Sequence, residues 1–220
     1  MSVKDPESLN KQFKSLTPEE RLNEVYHQFD KVLFTTSLGA TSIVLLHMLH
    51  KQKPGSEVFF IDTGYHFKET HDYKNLIERQ FDLIIKSIQP DPRLHDITED
   101  QELWNKDPDG CCYINKVLPL EPYKEEYDVW VSGLMGFQND FRKNRQVFES
   151  GKKTLRCYPI IDMSPKAVRQ YIRDNGLPFH PLTLSGYDSI GCTHCTAPGS
   201  GREGRWKGVS KTECGLHNDD

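Results

Sequence analysis

Three short apolar runs, at residues 31–36, 57–61 and 83–88, punctuate the first half of the chain, and each is rich in Val, Leu, Ile or Phe. Runs of that length and composition predict strands buried on both faces, as in a parallel sheet. Helical spacing takes over between them: residues 43–49 open one helix and residues 68–81 carry another. This strand–helix alternation predicts a mostly parallel α/β sheet flanked by helices. Two more strands are expected at 128–133 and 155–160, and a helix from Ser164-Pro165 to Asn175-Gly176, with a cap and proline at its start and a glycine at its stop. Upstream, residues 1–29 read as a packing helix, with Thr17-Pro18-Glu19-Glu20 as its N-terminal signature and Leu22, Val25, Tyr26 and Phe29 at helical spacing. Residues 89–110 form a polar connection in which 96–104 is a helical candidate. After Pro178 the periodicity stops, and His, Gly, Cys, Ser and Pro dominate. The chain therefore divides into a helical segment (1–29), an α/β core (30–178) and a loop-rich extension (179–220), all within a single domain.

Composition narrows the function classes. At 220 residues there is room for one sizeable domain. A formal net charge of -4 argues against general nucleic-acid or anionic-membrane binding. No apolar run reaches 18 residues, and the first residues, Met1-Ser2-Val3-Lys4, lack a signal-peptide core, so a cytoplasmic chain is expected. Structural disulfides are rare there, so six cysteines point to metal, cluster or redox chemistry.

Two cysteine pairs stand out, Cys111-Cys112 and Cys192-Thr193-His194-Cys195. Four thiolates suit zinc or an iron–sulfur cluster, and the C-x-x-C alone would also allow a thiol–disulfide switch. Adjacent cysteines favour a [4Fe–4S] cubane, which offers separate iron corners. Cys157 lies within an expected strand and reads as an ordinary buried cysteine. Cys214 is different: it stands near the end of the chain with Lys211 and His217 close by, and is expected to be an exposed, reactive thiol on a mobile tether. Residues 37–42, Ser-Leu-Gly-Ala-Thr-Ser, join a strand to a helix N-terminus, where free N–H groups can meet an anion. Asp62-Thr63-Gly64 follows the second strand, at the sheet edge where open α/β folds bind ligands. Lys116 lies four residues after Cys112, on the same face of any helix opening there.

Together these pieces resemble the assimilatory sulfonucleotide reductases, thioredoxin-dependent reductases of adenylyl sulfate (APS) or phosphoadenylyl sulfate (PAPS). Glu213-Cys214-Gly215-Leu216-His217 is similar to the family's C-terminal signature, Ser37-Leu38-Gly39-Ala40 to its modified pyrophosphate loop, and the stretch from Ile61 to Thr70 to its nucleotide-side motif. The cysteine pairs, Gly186-Tyr187-Asp188-Ser189-Ile190-Gly191 and Arg202-Glu203-Gly204-Arg205-Trp206 resemble the cluster-containing, mainly APS-using branch. The resemblance implies the adenine-nucleotide α-hydrolase-like (PP-loop) fold and a role in sulfate assimilation. It implies a nucleotide held by Ser37, Gly39, Ala40, Ser42, Asp62 and Thr63, and a sulfate held by Lys116, Arg202 and Arg205. Cys214 would attack the sulfur, a [4Fe–4S] cluster would sit on Cys111, Cys112, Cys192 and Cys195, and thioredoxin or glutaredoxin would act as reductant, in a homo-oligomer. The same chemistry on PAPS, or a non-catalytic redox sensor, are the alternatives. Two positions depart from the pattern. Met135-Gly136 stands where the family carries an Arg pair, a loss that Arg142 or Arg145 could compensate, and Pro108 or Asp109 stands where it has a histidine.

Overall fold

In a computed structural model, which describes residues 5–218, the apolar runs become β1 (Val32–Thr36), β2 (Ser56–Ile61) and β3 (Leu83–Ile88). Between them run α3 (Ser42–Gln52) and α4 (Lys68–Gln80). The first helical segment is two helices, α1 (Pro6–Phe13), which ends at a Lys14 cap, and α2 (Pro18–Gln28), which Thr17 starts afresh as its N-cap. Its hydroxyl accepts from Glu20 N at 3.3 Å while the Glu20 carboxylate accepts from Thr17 N at 2.7 Å, a reciprocal capping box.

The polar connection holds α5 (Pro92–Asp100), α6 (Leu103–Lys106) and α7 (Pro108–Cys112), then a π-helical turn (Tyr113–Val117) and α8 (Leu118–Glu126). The sheet resumes with β4 (Val129–Val131), passes α9 (Asp140–Lys143), and ends in β5 (Phe148–Glu149), β6 (Leu155–Cys157) and α10 (Pro165–Asp174). Strand order is β3-β2-β1-β4-β6-β5, and only β5 is antiparallel. β5 is a strand the periodicity did not predict. Two residues are too few to show alternation, and its pairing partner lies across a turn. Asn10 of α1 covers this strand, donating to Phe148 O at 2.8 Å and accepting from Phe148 N at 2.9 Å, so the edge is not left open.

α3 buries Ile43, Val44, Leu45, Leu46, Met48 and Leu49, and helices apolar on most sides belong inside. Chain order runs outward from β1 to β3, then crosses back to β4 on the other side of β1. That reversal opens a crevice at the carboxyl ends of β1 and β4, where such sheets bind ligands. No helix among the described residues is long and apolar enough to cross a membrane.

Candidate active site

The crevice is a cleft lined on one side by the 37–42 loop and on another by Ser132, Gly133 and Leu134 after β4. Leu38 is fully buried at φ 49°, a strained left-handed turn for a leucine, and its N–H donates to Thr36 Oγ1 at 3.1 Å. Thr41 gives α3 no side-chain cap; Ser42 N–H turns back to Gly39 O at 3.1 Å and Val44 N–H to Thr41 O at 3.3 Å, and the positive end of the helix dipole meets the cleft at Thr41 and Ser42. Ser37, Gly39, Ala40 and Ser42 all line the cleft.

Lys116, Arg202, Arg205 and Cys214 line the same cleft, brought in from the π-helical turn and from the extension. Arg205 donates to Cys195 O at 3.3 Å and Ser189 Oγ at 3.4 Å, and its guanidinium lies 4.4 Å from the centre of the Trp206 ring. Gly191 makes room for it: a Cβ there would come within 2.5 Å of an Arg205 nitrogen. Arg202 donates to Thr212 O at 2.8 Å and lies 3.6 Å from the Glu213 carboxylate; burial, with Arg142 beside it, lowers its pKa to about 10.

The tail is docked, which corrects the expectation of an exposed tether. Arg142 grips Glu213 through both carboxylate oxygens, at 2.5 and 2.8 Å, and Asn139 donates to the same carboxylate at 2.7 Å. Lys211 pairs with Asp109. His217 is buried and stacks on Trp130 with ring centres 4.7 Å apart and planes 9° apart. Its carbonyl accepts from Arg145 at 3.3 Å and Arg156 at 3.2 Å. Cys214 is half-buried between this docked tail and the buried cysteines. Residues 211–218 stay docked because charge and one aromatic stack replace the apolar packing they lack.

Cys111, Cys112, Cys192 and Cys195 come together from α7 and the 192–195 turn, and line one small enclosed cavity with Tyr65, Trp104, Asn115, Lys116 and His194. None is in a disulfide. Thr63 Oγ1 lies 3.3 Å from Cys192 Sγ, and Asn115 donates to Cys111 Sγ at 3.7 Å. Burial, then the neighbouring thiols, pushes Cys111 up to about 12 and Cys195 up to about 11. Four crowded buried sulfurs around one cavity are what a cationic centre would turn into ligands, so the donor set fits a thiolate-bound cluster. Among the described residues no three His, Cys, Asp or Glu side chains are grouped as a single metal ion would hold them. Lys116 lines both the cysteine cavity and the cleft. Burial would lower its pKa, but Cys192, Cys112 and Cys214 outweigh that and raise it above the usual lysine range.

The sequence profile of the phosphoadenosine phosphosulfate reductase domain matches residues 31–198. The chain belongs to that family. An adenosine 5'-phosphosulfate reductase of Bacillus mycoides is 37% identical over 206 residues, covering 89% of this chain and 88% of the relative. One from Salinibacter ruber is 33% identical, covering 96% of this chain and 87% of the relative. The crystal structure of phosphoadenylyl-sulfate reductase from Candida auris, a phosphate complex, superposes with a TM-score of 0.73 at 26% identity, covering 90% of this chain and 98% of that one. An FMN adenylyltransferase of Candida glabrata, 15% identical with a TM-score of 0.59 over 90% of this chain and 68% of its own, shares the fold alone. The fold is thus the adenine-nucleotide α-hydrolase-like one.

Several expected positions fall elsewhere in this family member. Asp62 and Thr63 do not line the cleft. Asp62 accepts from Gly64 N at 3.2 Å and shapes the turn, while the Thr63 hydroxyl lies 3.3 Å from Cys192 Sγ. Arg142 and Arg145 are not spare cations for a sulfate: Arg142 holds Glu213, and Arg145 holds Glu149 and the His217 carbonyl. Met135 is fully buried in the core, and Gly136 N–H donates to Ile161 O at 2.7 Å. Cys157 is fully buried, as its strand position implied, and burial raises its pKa.

The structure also adds cleft residues. Gln138, Arg142 and Trp206 line it. So does His66, whose Nε2–H donates to Ile61 O at 3.1 Å, and whose pKa burial, then Lys116, lowers to about 4. Ser132 directly follows β4, and the reversal of strand order that makes this strand end a ligand site is visible only in the fold.

Proposed function

We propose that this family member reduces adenylyl sulfate to sulfite and AMP, in the cytoplasm and as part of sulfate assimilation. The observation that carries it is a single cleft that brings Cys214 to the anion-binding loop at Ser37–Ser42 and to Lys116, Arg202 and Arg205. The 37–42 loop and the N-terminus of α3 would take the nucleotide's phosphate, and the three cations the sulfate. The Cys214 thiolate attacks the sulfur and the sulfur–oxygen bond to the phosphate breaks. AMP leaves and an S-sulfocysteine remains. A thiolate of reduced thioredoxin (or glutaredoxin) then attacks Cys214 Sγ, sulfite departs with the electron pair, and the partner's second thiol resolves the mixed disulfide. The two electrons come from the partner's dithiol. The tail would have to leave its dock between the steps, because the partner needs access to Cys214.

Cys111, Cys112, Cys192 and Cys195 would hold a [4Fe–4S] cluster. When bound, it supplies ordering of the 192–206 segment and a local negative charge that Lys116 balances. A ring of thiols around a cavity, two of them adjacent, suits a cubane better than one zinc ion. Relatives at 33–37% identity named for APS favour that substrate, while the Candida auris neighbour, titled for PAPS, keeps PAPS as the second reading.

Mass spectrometry after incubation with APS and no reductant should find an SO₃ adduct on Cys214, released as sulfite by reduced thioredoxin. Cys214→Ser should lower turnover by at least about a thousandfold while AMP still binds. An adduct on another cysteine, or APS binding without sulfite release, would overturn the assignment. Iron and acid-labile sulfide should accompany the purified protein; a colourless anaerobic preparation containing zinc would refute the cluster.

A further inference from the structure

Three residues that line the cleft each carry a buried polar atom with no hydrogen-bond partner among the described residues: His66 Nδ1, Ser132 Oγ and Trp206 Nε1. Buried polar atoms left unpaired cost stability, so each calls for a partner that arrives later. The Ser132 hydroxyl can rotate to suit many ligands. The Trp206 indole N–H sits among Arg202, Arg205 and Lys211, where one more donor adds only to the anion subsite.

His66 is the informative one, because it is an acceptor on a wall made largely of donors. Its Nε2 faces the Ile61 carbonyl at 3.1 Å. A carbonyl can only accept, so Nε2 carries the proton and Nδ1 of the neutral ring presents a bare lone pair. The ring is packed against Phe60, with centres 4.8 Å apart, and His71, at 6.2 Å. The His66 backbone bridges to Cys192, which fixes the residue beside the cysteine turn.

Phosphate and sulfate oxygens at neutral pH only accept, so the anionic end of a sulfonucleotide has nothing to offer Nδ1. The donors of such a molecule are the exocyclic amine of its base and its ribose hydroxyls. We propose that His66 Nδ1 accepts a hydrogen bond from the nucleoside half of the substrate, and so selects for a nucleotide that carries that donor. The proposal rests on the sulfonucleotide reading and adds a side-chain contact that sets base or sugar specificity.

Calorimetry on the purified holoprotein tests it, with AMP, inosine 5'-monophosphate, 2'-deoxy-AMP and 3'-deoxy-AMP as probes. One of the three analogues should bind roughly tenfold more weakly than AMP, as expected when a buried acceptor loses its donor, and its identity names the donor. His66→Leu should weaken AMP by about the same factor and abolish the penalty for that analogue. His66→Asn, whose side-chain oxygen lies near the Nδ1 position, should restore part of both. A purely structural role would shift all four nucleotides together and keep the penalty. Equal binding of AMP and every analogue by the wild type, or an unchanged penalty in His66→Leu, would overturn the proposal. Sulfite release from APS is read in parallel on the wild type. If it persists while the analogue pattern fails, only the His66 contact falls; if it is absent, the functional reading itself falls.

Discussion

On one wall of the cleft the 37–42 loop hangs between β1 and α3, anchored by Leu38, Ile43, Val44 and Leu46, all fully buried. On the other, the 211–218 tail is held by Arg142 on Glu213, Lys211 on Asp109, and arginines on the His217 carbonyl, with one ring stack beneath. Apolar packing of the first kind is lost only by unfolding the core. Ion pairs and carbonyl contacts can be exchanged for water or for another partner, which makes their segment the low-stability end of the molecule. The arrangement suits the division of labour: a fixed wall for the nucleotide and a releasable one for the thiol that must meet two partners.

The sharpest way to break this contrast is Arg142→Ala. It leaves the Glu213 carboxylate, whose side chain is only 7% exposed, to Asn139 and the more distant Arg202, and breaking a buried pair costs up to about 3–5 kcal/mol. The tail should become cleavable by trypsin at Lys211, and sulfite release should fall at least about a hundredfold, while the melting temperature of the core changes little. A protected tail with a lowered core melting point would erase the distinction.

Acidification should act on the tail wall next. Burial, then Arg142, Arg156, Lys124 and Arg145, holds His217 well below 6.5, and the Tyr158 hydroxyl and Trp130 ring complete its surroundings. Above pH 6.5 docked and released tails both carry a neutral ring and docking keeps its full strength. Below it only the released tail takes up the proton, so docking weakens by up to about tenfold per pH unit. Burial works against Glu213, but Arg142 lowers its pKa below 4.5, so its contribution is present above that value and lost only as pH falls through the lower docked one. Limited proteolysis at pH 7.5 and 5.5 should show the release, and His217→Phe should flatten it; a wild-type tail indifferent to this range would sink the account. The smallest effect belongs to Lys68→Ala. Its pair with Asp72 is solvent-exposed, and neither melting temperature nor tail protection should change measurably.

The fixed wall was largely legible in the residues. β1, β2, β3 and α3 are contiguous apolar runs, and the Ser164–Pro165 start of α10 is a local signal that the structure keeps, with Ser164 Oγ accepting from Ala167 N at 3.1 Å. The four cysteines could be grouped by type and spacing before any fold was known. The releasable wall could not be read, because its partners are remote: Arg142 and Glu213 are 71 residues apart, and Lys211 and Asp109 are 102 apart. The surroundings of Asp62 and Thr63 were hidden for a related reason. Position at a strand end is local, but the direction a turn takes afterwards depends on what it packs against, here the Cys192 thiol.

The Lys211–Asp109 pair also sets a leash. With it closed, only residues 212–214 are free to straighten, and at roughly 3.4 Å per residue the Cys214 sulfur could travel about 10 Å from its anchor. If the pair opens, the next anchor is the Trp206 N–H on Cys195 O at 3.1 Å, and the reach grows to nearly 30 Å, about the width of a small domain. One exposed aspartate therefore decides whether a redox partner must press against the mouth of the cleft or can collect its cargo at a distance.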